Sequence, residues 1–256
     1  MSFFNKMLAS VGIGSAKVDT KLEKDTVMPG GEVRGVVVVQ GGSTEQQISD
    51  IYMSVNTSYL KEIDDKKISV PGRVDQFRLS ESFNIHANER KEIPFSFILP
   101  LDTPITIGRS RVWIKTDLDI TSAVDPSDKD FVRVVPNPLL ESVLTAASSL
   151  GFRMREADCE QAPRYMRKRL PFVQEFEFVP TSGSFRGRLD ELEIVFLPIS
   201  ENQAELLLQV DCKVRGLGSL FSEAMGMDES KLRLTVSSSD IPNMAQKLQS
   251  TISRYV

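Results

Sequence analysis

Few side chains in this sequence have the types and spacing that catalysis needs. The chain has one histidine, His86, in the stretch FNIHANERK, and two cysteines, Cys159 and Cys212. One histidine and two isolated thiols cannot supply the four ligands of a structural zinc site. No G-x-S-x-G element accompanies the histidine, and Cys212 alternates in phase with Val210 and Val214, as a small buried hydrophobe does. We therefore predict that the protein is not an enzyme and has no catalytic residue, metal ligand or cofactor.

Six aspartates lie in three stretches, LDTPITIG, TDLDI and AVDPSDKD. Clustered carboxylates at the ends of strands could bind calcium, but these stretches lack the central glycine and the terminal glutamate of an EF-hand. Aspartate also favours turns, because its side chain accepts hydrogen bonds from the nearby backbone. We favour the turn interpretation and keep calcium binding as an alternative.

The densest cluster of positive charge lies in APRYMRKRLPF, just before a predicted strand. We call its four cations the basic stretch: Arg164, Arg167, Lys168 and Arg169. They could bind an acidic partner or a lipid headgroup. Alternatively, they are solvated residues that keep an edge strand from pairing with other chains. The shortness of the cluster favours the second interpretation, and partner binding stays open.

The N-terminal stretch FFNKMLASV places four apolar side chains, Phe3, Phe4, Met7 and Leu8, on one stripe of a predicted helix. Such a stripe could lie on a membrane or on a partner helix, but one lysine attracts anionic lipid only weakly. Packing or self-association is therefore favoured. A membrane-surface structural or scaffolding protein, anchored by this helix, is the alternative function.

The glycine-rich stretch TVMPGGEVRGVVVVQGG could cradle a phosphate or turn the chain into a strand. A phosphate loop needs a strand, then glycines, then a helix whose N–H groups face the anion. Here Gly30 and Gly31 follow Pro29 and lead into a run of valines, which fit pleated sheets better than helices. The order of residues predicts a turn followed by a strand.

Composition and charge are those of an ordinary globular protein. Hydrophobic residues make up 41% of the 256 residues, charged residues 26%, and the net charge is −4. Neither half is strongly basic, which argues against a nucleic-acid partner. Asn5 and Lys6 interrupt the apolar core that a signal peptide needs, and no segment approaches the ~20 apolar residues of a membrane span. We expect a cytoplasmic protein.

Alternation of apolar and polar residues with period two dominates the chain and predicts strands with one buried face. In QEFEFVP, for example, Phe176 and Phe178 alternate with Glu175 and Glu177. The stretch VPNPLLESVLTAASSLG breaks this pattern and predicts a helix with Asn137 as its N-terminal cap. The stretch SSSDIPNMAQKLQSTISRYV predicts a second helix with Ser239 or Asp240 as its cap and Leu248, Ile252 and Tyr255 on its buried stripe. We place a domain boundary at 135/136, giving domains 1–135 and 136–256.

Three segments together resemble the N-terminal half of arrestin-fold proteins. They are DTVMPGGEVRGVVVV, IPFSFILPLDTPIT and VWIKTDLDI followed by DPSDKDFVRV. With the opening MSFFNKMLASVGIGSAKVDTKLE and the overall length, the chain is similar to the bacterial sporulation-control protein M family (SpoOM). The resemblance supplies no catalytic motif that could be carried over.

The resemblance implies a mainly β protein with two tandem arrestin-like, immunoglobulin-like antiparallel sandwiches and short N-terminal, inter-domain and C-terminal helices. It also implies a cytoplasmic, non-enzymatic regulator at the entry to sporulation. We expect an adaptor that binds protein partners of the sporulation or cell-division machinery. A homodimer is a further expectation, because exposed sheet edges and amphipathic terminal helices favour two-fold association.

Overall fold

The computed structural model describes residues 14–64, 66–121, 124–164, 167–212 and 229–255. The predicted N-terminal helix, with Phe3, Phe4, Met7 and Leu8, lies outside these ranges. The described chain is mainly β, as predicted. Its strands are β1 (Lys17–Leu22), β2 (Thr26–Val27), β3 (Glu32–Gln40), β4 (Gln46–Ile63), β5 (Lys66–Ser80), β6 (Phe83–Ile85), β7 (Arg90–Ile98), β8 (Val112–Ile120), β9 (Ser127–Val134), β10 (Phe152–Gln161), β11 (Phe172–Pro180), β12 (Leu189–Ser200), β13 (Gln203–Cys212) and β14 (Glu229–Ser237). Its helices are α1 (Pro138–Ser149), a 3₁₀ helix (Ser238–Asn243) and α2 (Met244–Ile252).

The chain divides into two compact units. The first unit contains residues up to Ser58, Pro71–Ile105 and Arg111–Val135, and the second contains Tyr59–Val70, Thr106–Ser110 and the chain from Pro136 onward. These units differ from the two continuous ranges 1–135 and 136–256, because the long strands β4 and β5 each continue from one unit into the other. Both strands are longer than the usual 3–10 residues.

In the first unit, β3 lies between β1 and β7 in a three-stranded antiparallel sheet. The prediction of a turn followed by a strand is confirmed here. Gly30 has φ 83°, a backbone conformation that glycine adopts readily, and its N–H donates to the carbonyl of Leu99 at 2.8 Å. The valines that follow form β3, where Val37 and Val39 are fully buried.

The other strands of the first unit lie in a second sheet, in which β8 pairs antiparallel with both β4 and β9. Strand β2 adds two residues in parallel to β9, and β5 and β6 pair with β4. Alternate side chains of β4 and β8 are buried, among them Ile51, Met53, Ile114 and Leu118. Their neighbours along each strand therefore point away from this core.

The second unit is built on an antiparallel meander of β10, β11, β12, β13 and β14. Helix α1 packs against α2 and β10. The side chain of Asn137 accepts a hydrogen bond from the backbone N–H of Leu140 at 2.9 Å, which caps α1 at its N-terminus.

The C-terminal helical segment differs from its prediction in two respects. It begins one turn earlier, as a 3₁₀ helix capped by Ser237, whose backbone N–H donates to Asp240 at 2.8 Å. Asp240 is thus the third helical residue of a capping box and not the cap. Leu248 and Ile252 are fully buried as predicted, but Tyr255 follows the helix and is 46% exposed.

Candidate functional site: a charged surface of the second unit

Three glutamates come together on the sheet of the second unit. Because Phe176 and Phe178 of β11 point into the core, Glu175 and Glu177 project from the opposite face. The register of β11 and β12 sets Glu177 directly opposite Glu193. Carboxylate oxygens of Glu175, Glu177 and Glu193 then lie within 4.8 Å of one another, and we call these residues the carboxylate cluster.

Burial and like charge control the protonation of this cluster. Burial, followed by the charge and hydrogen bond of Glu193, raises the pKa of Glu175 to about 8. Glu160 and Glu177 add smaller effects in the same direction. At neutral pH, Glu175 therefore holds a proton that it shares with Glu193, as paired carboxyl groups do.

Cations compensate carboxylates both within the cluster and around it. Arg155 donates to Glu177 at 2.8 Å and also to Glu191, and these partners raise the pKa of its guanidinium. Lys67 lies 2.7 Å from Glu160. These ion pairs offset part of the negative charge on the face of the sheet that carries the carboxylate cluster, which we call the acidic face.

Further ion pairs follow the same sheet on both sides. Arg109 contacts Asp158 and Glu156, and Arg233 lies 3.1 Å from Glu205 on β13. The acidic face is therefore largely balanced by its own basic side chains.

A hollow of about 250 Å³ opens beside the carboxylate cluster. Apolar and acidic side chains line it together, among them Val173, Val195, Leu207, Glu160, Glu175 and Glu193. A second hollow, of about 330 Å³, adjoins it through Glu160, Gln161 and Pro163. Lys67, Arg164 and Arg167 contribute positive charge to the lining of the second hollow.

The structure places all four residues of the basic stretch on the surface, in the connection from β10 to β11. Arg164, Arg167, Lys168 and Arg169 are exposed. Arg164 and Arg167 line the second hollow, and Arg167 donates from Nε to the carbonyl of Ala162 at 2.9 Å. Lys168 and Arg169 follow them in the same connection.

The other residues singled out in the sequence are a histidine, two cysteines and several aspartates. His86 is in the first unit, with 71% of its side chain exposed and its ring 3.7 Å from Glu45. Cys159 is buried, and the side chain of Cys212 lies outside the described part of the chain. Asp125 accepts a hydrogen bond from the backbone N–H of Ile120 at 2.9 Å, which is the turn chemistry predicted for the aspartates.

The carboxylate cluster was missed by the sequence analysis, although its residues were visible. Glutamates separated by one apolar residue occur in QEFEF and again in DELEI, so each strand presents acidic side chains on one face. Two consecutive segments of this kind signal a shared acidic surface. Which glutamates meet depends on the register of the two strands, and the pattern of residue types does not supply it.

The chemistry available to this surface is binding and proton exchange. Within the described ranges, the carboxylate cluster is the group of acidic side chains close enough to hold a cation. Carboxylate oxygens are ligands for calcium and magnesium. The basic stretch next to it offers arginines, whose planar guanidinium groups bind carboxylates in pairs of hydrogen bonds.

Comparison with known proteins adds the family. The family model described as SpoOM protein matches residues 4–214. The chain belongs to the SpoOM family. It is similar to the sporulation-control protein spo0M of Bacillus subtilis (strain 168), with 46% identity over 258 residues that cover 100% of this chain and 99% of that protein. The predicted family is therefore confirmed.

A solved structure supports the same relationship. The crystal structure of Spo0M, sporulation control protein, from Bacillus subtilis matches with a TM-score of 0.85 and 42% identity, over 95% of this chain and 100% of that chain. The SpoOM match thus extends to the fold of almost the whole chain. Among the described residues, no helix is both long and apolar enough to cross a membrane.

Proposed function

We propose that this SpoOM-family protein is a non-enzymatic regulator of sporulation that acts in the cytoplasm as an adaptor. Its two β units serve in this proposal as arrestin-like sandwiches that present charged surfaces to protein partners of the sporulation or cell-division machinery. The relatives' description as sporulation-control proteins motivates the pathway. Among the described residues of the candidate surface, we find no nucleophile placed beside a general base, which motivates the choice of an adaptor over an enzyme.

One observation carries the proposed site. Arg164 and Arg167 line a hollow that adjoins the acidic hollow of the carboxylate cluster, so opposite charges lie side by side on one unit. Complementary charge of this kind selects partners and speeds their encounter more than it adds affinity. Arginine is also enriched among the residues that contribute most to protein interfaces.

The experiment compares the partners recovered by tagged wild-type protein and by a variant in which Arg164, Arg167 and Arg169 become glutamate. We expect the variant to lose specific partners, because the reversed charge repels an acidic surface. The matched control reverses the same number of exposed arginines elsewhere in the second unit, at Arg153, Arg186 and Arg254. Recovery of the same partners by all three proteins contradicts a role for the basic stretch.

A homodimer also stays part of the proposal. Adjacent patches of opposite charge are self-complementary under a two-fold axis, since the acidic hollow of one copy can meet the basic stretch of another. Light scattering of the wild type and of the triple charge-reversal variant tests this arrangement. The membrane-anchored alternative rests on Phe3, Phe4, Met7 and Leu8, outside the described residues, and sedimentation with anionic vesicles tests it.

A further inference from the structure

Strands β8 and β9 of the first unit expose two aromatic rings on the face that points away from the core. Trp113 and Phe131 are direct cross-strand partners, with ring centroids 6.1 Å apart and planes inclined by 58°. Phe131 is 59% exposed, whereas the neighbouring Val132 is buried. Leaving this ring in water forgoes the free energy that its burial would contribute, so the position is suited to a contact that covers it.

Four cations surround these rings on the same face. Lys115 and Lys129 are cross-strand partners. Arg111 lies two residues before Trp113, just ahead of β8, and Arg133 lies two residues after Phe131 on β9. The Nζ atom of Lys129 lies 4.1 Å from the ring centroid of Trp113 and 4.7 Å from that of Phe131. We call these six residues the aromatic–basic face: Arg111, Trp113, Lys115, Lys129, Phe131 and Arg133.

Near the two rings, the four cations outnumber the carboxylates of Asp117 and Asp119 on the same side of β8. Two lysines placed directly opposite each other on neighbouring strands repel. Asp117 lies 2.5 Å from Lys115 and compensates that lysine. The charges of Lys129 and Arg133, by contrast, are presented to solvent beside the exposed ring of Phe131. A polypeptide segment that carries a carboxylate and an apolar side chain would pair with these cations and also cover the ring of Phe131.

We propose that the aromatic–basic face docks an acidic segment of a protein partner. An apolar side chain of that segment covers Phe131, and its aspartate or glutamate carboxylates contact Lys129 and Arg133. The inference rests on the adaptor role proposed above and adds the chemistry of a partner for the first unit. Aromatic residues and arginine are the side chains most enriched in the centres of protein interfaces, which matches the composition of this face.

Two observations favour a protein segment over other anionic partners. A platform for nucleic-acid bases needs open ring faces, but Lys129 already lies over the rings of both Trp113 and Phe131. An anionic membrane offers dense negative charge, whereas Asp117 lies on this same face beside Lys115. A peptide can place its carboxylates at selected positions and avoid Asp117, which a planar array of phosphates cannot.

Trp113 is the one tryptophan of the chain, so its fluorescence reports directly on this face. The first probe is an eight-residue peptide in which aspartates and glutamates surround two leucines. Its control has asparagine and glutamine at the acidic positions. We expect the acidic peptide to shift the emission of Trp113 in the full-length protein, with an affinity that falls as salt is added. Equal binding of the amide control overturns the proposal.

Variants separate the contributions of ring and charge. Phe131→Ser and Lys129→Glu change exposed side chains, and circular dichroism verifies that each variant keeps its fold. We expect each to weaken binding of the fluorescently labelled acidic peptide at least about tenfold, the loss of one interface anchor. Lys21→Glu, which changes an exposed lysine of β1, is the control with the same charge change and should stay within about twofold. Wild-type affinity in Phe131→Ser and Lys129→Glu overturns the proposal.

Two further probes test the other anionic partners. Vesicles of phosphatidylglycerol and a single-stranded oligothymidylate are titrated while the emission of Trp113 is followed. A response to either of them, without a response to the acidic peptide, overturns the proposal in favour of a lipid or nucleic-acid surface. In the variant with Arg164, Arg167 and Arg169 reversed, the acidic peptide should still shift the emission of Trp113, because those arginines lie in the other unit. Failure of this inference is thus distinguishable from failure of the proposed function.

Discussion

The outward faces of the two units differ in how their charged side chains are compensated. On the second unit, the carboxylates of the face meet cations of that unit, as Arg155 meets Glu177 and Lys67 meets Glu160. On the first unit, Lys129 and Arg133 stand beside an exposed aromatic ring. Exposed ion pairs contribute little to stability, but they leave less uncompensated charge for a partner than cations without nearby counter-ions do.

The two units also differ in the protonation of a partly buried carboxyl group. The second unit holds Glu175 at a pKa of about 8, and burial is the main cause. The first unit holds Asp130 at a pKa of about 6, where burial is again the main cause and Asp128 the next. One side-chain oxygen of Asp130 is buried and has no hydrogen-bond partner. The two carboxyl groups therefore titrate in different ranges of pH.

The largest expected effect is on the free energy of unfolding. It should distinguish a phenylalanine on the core-facing side of its strand from one on the exposed side. Phe176 is 1% exposed and Phe131 is 59% exposed. We expect Phe176→Ala to lower the free energy of unfolding by about 3–5 kcal/mol, because it removes a buried ring and leaves a cavity. Phe131→Ala should change it by less than about 0.5 kcal/mol. Denaturant unfolding followed by circular dichroism measures both free energies. Similar losses of stability in the two variants would contradict the assignment of Phe176 to the core and of Phe131 to the solvent-exposed face.

A smaller effect is expected for Glu175, whose titration makes the stability of the protein depend on pH. Its pKa of about 8 in the folded protein exceeds the ordinary value of 4.5, so the folded state binds more protons between these values. The stabilisation is complete below pH 4.5 and is lost as the pH rises through 8. We expect Glu175→Gln to remove this decline and to raise stability at pH 8 by about 1–2 kcal/mol, after allowance for solvent screening.

The control for this experiment is Glu201→Gln, at an exposed turn position of the same unit. It should leave the decline of stability with pH unchanged. If Glu175→Gln and the wild type lose stability in parallel between pH 5 and 8, the carboxylate cluster does not share a proton in the way described.

The sequence predicts which side chains lie on each face of a strand, because the alternation of apolar and polar residues determines which of them are buried. The pattern in QEFEFVP correctly placed Phe176 and Phe178 in the core, and their intervening glutamates on the other face followed. Local chemistry also marked the start of α1, since Asn137 accepts the N–H of Leu140 within the same turn. Signals of this kind involve residues close in sequence, so no knowledge of the tertiary structure is needed.

The parts that were not predicted depend on contacts between distant residues. Pairing of Glu177 with Glu193, and of Trp113 with Phe131, follows from strand register, which turns and core packing fix together. The C-terminal cap moved from the expected Ser239 or Asp240 to Ser237 because the segment starts as a 3₁₀ helix. Ser237, Ser238 and Ser239 are adjacent residues of the same type, so residue type does not distinguish them as caps, and the backbone geometry does.

The smallest effect should come from Asp130, the titrating carboxyl group of the first unit. Its pKa of about 6 in the folded protein lies above the ordinary value of 3.8, so its stabilising proton is fully bound below pH 3.8 and is lost as the pH rises through 6. Above pH 6, charged Asp130 repels Asp128. We expect Asp130→Asn to raise stability at pH 7 by about 0.5–1 kcal/mol, with allowance for partial exposure.

The pH range in which Asp130→Asn raises stability distinguishes the titration of Asp130 in the first unit from that of Glu175 in the second. Asp130→Asn should make the decline in stability between pH 4 and 6 less steep, where Glu175 also contributes, and leave unchanged the decline between pH 6 and 8, which belongs to Glu175 alone. Asp119→Asn, an exposed position of β8 in the same unit, controls for the change in net charge. A variant at Asp130 that instead flattened the range from pH 6 to 8 would assign that titration to the first unit. Because the unpartnered oxygen of Asp130 lies in the interior of its unit and Glu175 lines an open hollow, a cationic ligand should shift only the upper range.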